Sequence, residues 1–170
     1  MKFSRLCAVA VTSAAAALST PASAIPIEAI FNVAALGSFT ADTGDVTTAT
    51  TITNGAPTLV GAIVSNNVGL VAGQLITLSP DPMGVTIGSI FTKEFTTALG
   101  TFLETLTVTS VTPGASSLGV LAVGTITQTI GIGFDPTPVY WSAAYTQNAG
   151  PGSQINLESS VNSLPVREKG

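Results

Sequence analysis

The chain has 170 residues, of which 45% are hydrophobic and only 8% charged, with a formal net charge of −4 and no histidine. That length suits one domain with a sizeable core rather than two. The average domain carries about 25% charged residues, so Thr, Ser, Asn and Gly must cover this surface, and the Val, Ile and Leu content excludes intrinsic disorder.

The first 24 residues read as a secretory leader. Lys2 and Arg5 give a positive start, residues 6–18 an apolar run, and Ala22-Ser23-Ala24 a small-residue cleavage site ahead of Ile25. The run is shorter than the roughly 20 residues of a spanning helix. The expectation is a signal-peptide helix, export through the Sec pathway and cleavage. The product is then secreted, periplasmic or at the cell surface, with no membrane anchor after cleavage. Cys7 lies inside the apolar run rather than at the cleavage point, which argues against a lipoprotein.

Processing changes the available chemistry. The mature chain has no Cys and no His, so it forms no disulfide and offers no Ser-His-Asp triad, Cys nucleophile or His/Cys zinc site. Nine acidic residues stand against Lys93, Arg167 and Lys169, a net charge of −6. With no basic patch to neutralise phosphates, nucleic acid is excluded as a partner.

Beyond the leader, short β-branched runs alternate with Gly, Pro and Asn. Helical signals are thin: residues 27–36 contain Ala, Leu and Glu, but Pro26 and Gly37 leave barely two turns, and 93–99 is similarly short. Strands are expected over 46–53, 58–64, 68–78, 88–96, 101–111, 118–129, 139–147 and 154–160. The clearest alternation sets Phe102, Glu104, Leu106 and Val108 against Leu103, Thr105, Thr107 and Thr109, as in a strand with one wet side. Asp81-Pro82-Met83-Gly84 suits a type I turn, Thr112-Pro113-Gly114-Ala115 a type II turn, and Asn54-Gly55 a tight connection.

These features predict an all-β fold: a single antiparallel β-sandwich or jelly-roll-like domain over 25–160, after the leader at 1–24 and before a flexible tail at 161–170. A solenoid is the rival architecture, but no fixed-period repeat is present.

The succession "ITLSPDPMG", "GTFLETLTVTSV", "LGVLAVGTITQT" and "GFDPTPVYWSAAYTQNAGPGSQINLESS" resembles secreted PEP-CTERM proteins of Gram-negative bacteria, over about residues 76–160 plus the leader. The resemblance implies an exported β-rich protein associated with extracellular polysaccharide or biofilm matrix. Members of that group end in a Pro-Glu-Pro motif, an apolar helix and a basic cluster. Here Leu164-Pro165-Val166-Arg167-Glu168-Lys169-Gly170 stands in that place, so exosortase sorting is not carried over. Release or noncovalent retention is the expectation. Because the group is defined by its address, the resemblance names no activity.

Three constellations carry candidate chemistry. Tyr140, Trp141 and Tyr145 form an aromatic strand, in which Trp141 and Tyr145 share one face and Tyr140 the other. Exposed together they would form a ligand-binding platform for sugar rings. The alternative, which the lack of disulfides favours, is that Trp141 and Tyr145 point inward as core anchors. Asp42-Thr43-Gly44-Asp45 offers oxygen ligands for Ca²⁺ but matches no EF-hand loop, so a solvated turn is the favoured reading. Asp81 and Asp135 each precede Pro and read as caps of nearby turn amides. Glu94 and Glu104 are the only candidate carboxylate pair for glycoside hydrolysis. Glu94 equally suits an exposed pair with Lys93.

The sequence therefore predicts no enzyme, no cofactor and no catalytic residue. It points to an exported structural protein of the cell surface or extracellular matrix. A carbohydrate-binding module and a self-associating subunit, built through Thr-rich edge strands, are the alternatives.

Overall fold

A computed structural model describes residues 25–163; the expected leader, Cys7 and residues 164–170 lie outside the described residues. Among the described residues the strands are β1 (Ile25–Pro26), β2 (Ala29–Ala35), β3 (Phe39–Ala41), β4 (Thr51–Asn54), β5 (Thr58–Asn66), β6 (Leu75–Ser79), β7 (Met83–Gly84), β8 (Ile90–Thr97), β9 (Gly100–Pro113), β10 (Ser117–Ile130), β11 (Phe134–Asp135), β12 (Thr137–Thr146) and β13 (Asn156–Ser163). A single 3-10 turn covers Val46–Thr48.

The expected all-β, antiparallel architecture is present, and its sheet closes on itself. Eight strands, β2, β5, β6, β8, β9, β10, β12 and β13, form a closed barrel in which each pairs antiparallel with the next in the chain. The seam is made by Val161 opposite Asn32 and Asn162 opposite Phe31, joining β13 to β2. A sandwich buries one sheet face against another; here a single sheet buries its own concave face.

Two-residue periodicity decides what lines the wall. In β9, Phe102, Glu104, Leu106 and Val108 are buried while Thr105 and Thr109 are exposed, as the alternation requires. Register then aligns neighbouring strands into rows. Ile90, Thr107, Val123 and Tyr140 form one outward row, and Thr92, Thr105 and Thr125 the next. Inside, Phe95 stacks on Phe102 at 5.5 Å and meets Phe31 edge-on at 5.8 Å. Eight strands leave an interior just wide enough to be filled by side chains or to hold one small ligand. Here the inward positions carry Phe31, Phe91, Phe95, Phe102, Leu106 and Trp141, each contributing roughly 1.5–3 kcal/mol on burial. The inside is apolar apart from Lys93, Glu104 and a few threonines, and the outside mixes threonine with exposed Ile90, Leu121 and Val123.

Gly124 lies on an inward row, opposite Leu106 on one side and Val139 on the other. A Cβ there would meet the Thr105 carbonyl oxygen at 1.8 Å, so the two strands approach at a distance only glycine permits.

One barrel end is closed by a three-stranded sheet of β3, β4 and β7. Phe39 of β3 packs edge-on against Tyr145 at 5.4 Å and pairs with Ile155 ahead of β13. Gln147, itself buried, ties this cap down: its Oε1 accepts from Val46 N at 2.9 Å, and its Nε2 donates to the carbonyls of Gly44 and Ser153. The opposite end is a rim built from the chain entry at Ile25, loop 67–74, turn 98–99 and loop 131–133.

Several local expectations change in the folded chain. Residues 29–35 form a strand despite their Ala content, because they fill the place between β5 and β13. The expected strand over 46–53 divides into the 3-10 turn and β4, and of 68–78 only the part from Leu75 is extended, in a strand that runs on to Ser79. Met83–Gly84 pairs with β4 instead of closing a type I turn, and the Ser79–Pro80 and Asp81–Pro82 peptides are cis. Gly114 has no positive φ, and its N–H donates to Ser117 O at 2.8 Å, so the hairpin closes around Ala115-Ser116, two residues later than a type II turn at Pro113-Gly114. The last strand continues to Ser163.

Candidate functional site

Strand β12 sorts the aromatic cluster onto two sides of the wall. Trp141 and Tyr145 are buried, whereas Tyr140 is 47% exposed. The three therefore do not make one sugar platform. Alternation along a strand cannot bring adjacent residues 140 and 141 to the same face, and the interior takes Trp141 and Tyr145, which lie four apart on one face of β12. Trp141 meets Phe91 edge-on at 5.0 Å, and its Nε1 has no hydrogen-bond partner among the described residues. Burial pushes the Tyr145 phenol well above its ordinary range.

Outside, Tyr140 borders a shallow depression of about 360 Å³ with Leu121, Val123, Thr109 and Ser142, floored by β10 and β12. A half-exposed ring, aliphatic neighbours and two hydroxyls are suited to an uncharged, hydroxylated surface. Sequence reasoning named Tyr140 for this task; Leu121 and Val123 were missed because only strand pairing sets them beside it.

The acidic candidates separate. Glu104 is fully buried, with Oε2 2.8 Å from Lys93 Nζ, and the two residues stand directly opposite each other on β9 and β8. Lys93 Nζ also sits 5.0 Å from the centre of the Phe31 ring. Burial lowers the Lys93 pKa, and the neighbouring Glu104 charge partly offsets that shift. Glu94 points outward and is exposed, opposite Leu103. A Glu94–Glu104 hydrolytic pair is thus ruled out by geometry, as the two carboxylates lie on opposite faces of the wall. The exposed Lys93–Glu94 pair is replaced by the buried Lys93–Glu104 pair. The available sequence signal was Glu104 itself, interrupting an otherwise apolar inward row.

Asp42 and Asp45 are engaged within their own loop. Asp42 accepts from Thr50 N at 3.0 Å and from the Thr50 hydroxyl, and that hydroxyl holds its carboxyl below the usual value. Asp45 caps the 3-10 turn, accepting from Thr47 N at 2.9 Å and Thr47 Oγ1 at 2.8 Å. Both carboxylates thus serve as turn acceptors, and no group of three or more His, Cys, Asp or Glu converges among the described residues. Asp81 caps at long range, accepting from Asn54 N at 3.0 Å.

Comparison with family models, curated proteins and solved structures yields no match for this chain.

Proposed function

We propose that this chain is an exported, non-catalytic structural protein of the cell surface or extracellular matrix, whose outer wall contacts extracellular polysaccharide. The observation that carries this reading is the wall itself. The half-exposed Tyr140 ends an outward row with Val123, Thr107 and Ile90, the next row is threonine (Thr92, Thr105 and Thr125), and the strand interior is spent on packing and one ion pair. Such a face offers hydroxyl hydrogen bonds and ring stacking with little charge. The resemblance to PEP-CTERM proteins and the leader at 1–24 support the same address.

The barrel bears on self-association as well. Closure gives each barrel strand a paired neighbour on either side, though β5 pairs with β6 only at Thr58 and Leu59; in the cap, β3 pairs beyond β4 with Ile155 through Phe39, and the two-residue β7 is the outer strand.

The test is to express the full chain in a bacterial host, locate it by fractionation, and sequence the N-terminus of the product. The recovered protein is then sedimented with neutral polysaccharides. Recovery outside the cytosol beginning at Ile25, with co-sedimentation reduced by Tyr140→Ala, supports the proposal. Cytosolic retention with the leader uncut, or hydrolysis of a polysaccharide, overturns it.

A further inference from the structure

The two barrel ends differ. The end carrying β3, β4 and β7 is covered by folded chain and exposes Leu36 and Ile87, while the rim gathers five exposed aliphatic side chains. Ile132 is 95% exposed and sits between Gly131 and Gly133, both at positive φ, on a short tip. Ile130, Leu99, Ile25 and Val71 are likewise exposed.

Backbone contacts gather these residues. Ile25 N donates to Gly133 O at 3.0 Å, which places the chain entry against the Ile132 loop. The Leu99 carbonyl accepts from Gln128 Nε2 at 2.9 Å and lies against Gly131. On its other side the Leu99 side chain packs on Gly69, at the start of the loop that carries Val71. None of the five rim side chains bears a charge.

Chain direction says what this rim faces. Residues 6–18, the long apolar run of the leader, join the barrel through Ile25 at this end. While that run is held in a membrane, the rim is the part of the barrel nearest the bilayer. We propose that the rim seats on a lipid bilayer surface, with Ile132 and Ile130 entering the headgroup–acyl boundary, and that this contact persists after cleavage as a peripheral attachment. The mature net charge of −6 favours neutral, zwitterionic lipid over anionic lipid.

The inference rests on the leader reading but extends the proposed function, since it supplies noncovalent retention at a surface. All eight barrel strands lie between Ala29 and Ser163, so a chain beginning at Ile25 carries the whole barrel. That chain is mixed with phosphatidylcholine vesicles and partitioning is measured by flotation, with its mass in the absence of lipid followed by light scattering.

Binding is expected, falling about tenfold in Ile132→Ser and further in the Ile130→Ser/Ile132→Ser double variant. Ile87→Ser, altering an exposed isoleucine ahead of β8 at the opposite end, should leave it unchanged. Absence of vesicle binding, or binding indifferent to Ile132→Ser, overturns the proposal. Self-association abolished by the same substitutions, without vesicle binding, overturns it in favour of a second copy of this chain as the occupant. A failure here leaves the polysaccharide reading intact, because lipid partitioning and cellular address are measured separately.

Discussion

Lys93 and Glu104 face each other across β8 and β9 inside the barrel, Nζ to Oε2 at 2.8 Å, with neither side chain exposed. Taking two charges out of water costs several kcal/mol per ion, which their attraction offsets only while both are present. Lys93→Met or Glu104→Leu alone should therefore destabilise the barrel by about 3–5 kcal/mol. Lys93→Met/Glu104→Leu together should recover most of that loss, or exceed the parent. Urea unfolding of the four proteins forms a double-mutant cycle. Equal, additive losses would show that the pair is not coupled.

The same pair and Tyr145 set the alkaline response. Burial lowers the Lys93 pKa below its ordinary 10.5, so between the lowered value and 10.5 the unfolded chain binds more protons. Stability from this group therefore rises with pH across that window. Burial raises the Tyr145 pKa above its ordinary 10.0, so above pH 10 the folded chain retains a proton that the unfolded chain loses. Its contribution is complete below pH 10 and declines above it. Unfolding midpoints measured from pH 7 to 12 should climb and then fall. Lys93→Met/Glu104→Leu should flatten the climb and Tyr145→Phe should soften the fall.

How far the sequence discloses this arrangement depends on how local the cause is. The inside and outside of β9 are legible from Phe102 to Thr109, because side-chain direction alternates whatever the strand's neighbours are. Trp141 and Tyr145 are assigned to one face by the same rule. Barrel closure is not local: it depends on Val161 and Asn162 meeting Asn32 and Phe31 across more than a hundred residues. Lys93 illustrates the loss of information. Adjacent to Glu94, it reads as half of a surface pair, yet the register sets it against Glu104 and turns Glu94 outward. The same dependence makes a strand of Ala29–Ala35, whose Ala and Asn residues carry little strand preference of their own.

Trp141 gives an optical report of the interior. At 3% exposure and edge-on to Phe91, it should emit at short wavelength and resist acrylamide, with no shift on adding polysaccharide. Its unpartnered Nε1 means that Trp141→Phe loses no hydrogen bond, so the cost should be about 1–2 kcal/mol of packing. Trp141→Ala, which empties the site, should cost about 3–5 kcal/mol. A red-shifted, readily quenched spectrum would place the indole outside the wall and restore the three-residue platform.

Two glycines of β10 separate close strand approach from simple economy of space. At Gly119 a Cβ would find its nearest neighbour, Thr112 O, at 3.6 Å, an ordinary contact. Gly119→Ala should be tolerated within about 0.5 kcal/mol. At Gly124 the added carbon would fall 1.8 Å from Thr105 O and 2.9 Å from Leu106 Cα, both backbone atoms that no rotamer change can move. Relieving that overlap requires β9 and β10 to separate where Thr105 and Leu106 lie next to the Glu104 ion pair. Gly124→Ala should therefore lose about 3 kcal/mol or more, and expose Trp141 to quencher if the wall opens locally. Because both variants make the same chemical change on the same strand, a difference between them isolates the distance between strands as the cause, whereas equal stability would show that the two backbones are not in contact at residue 124.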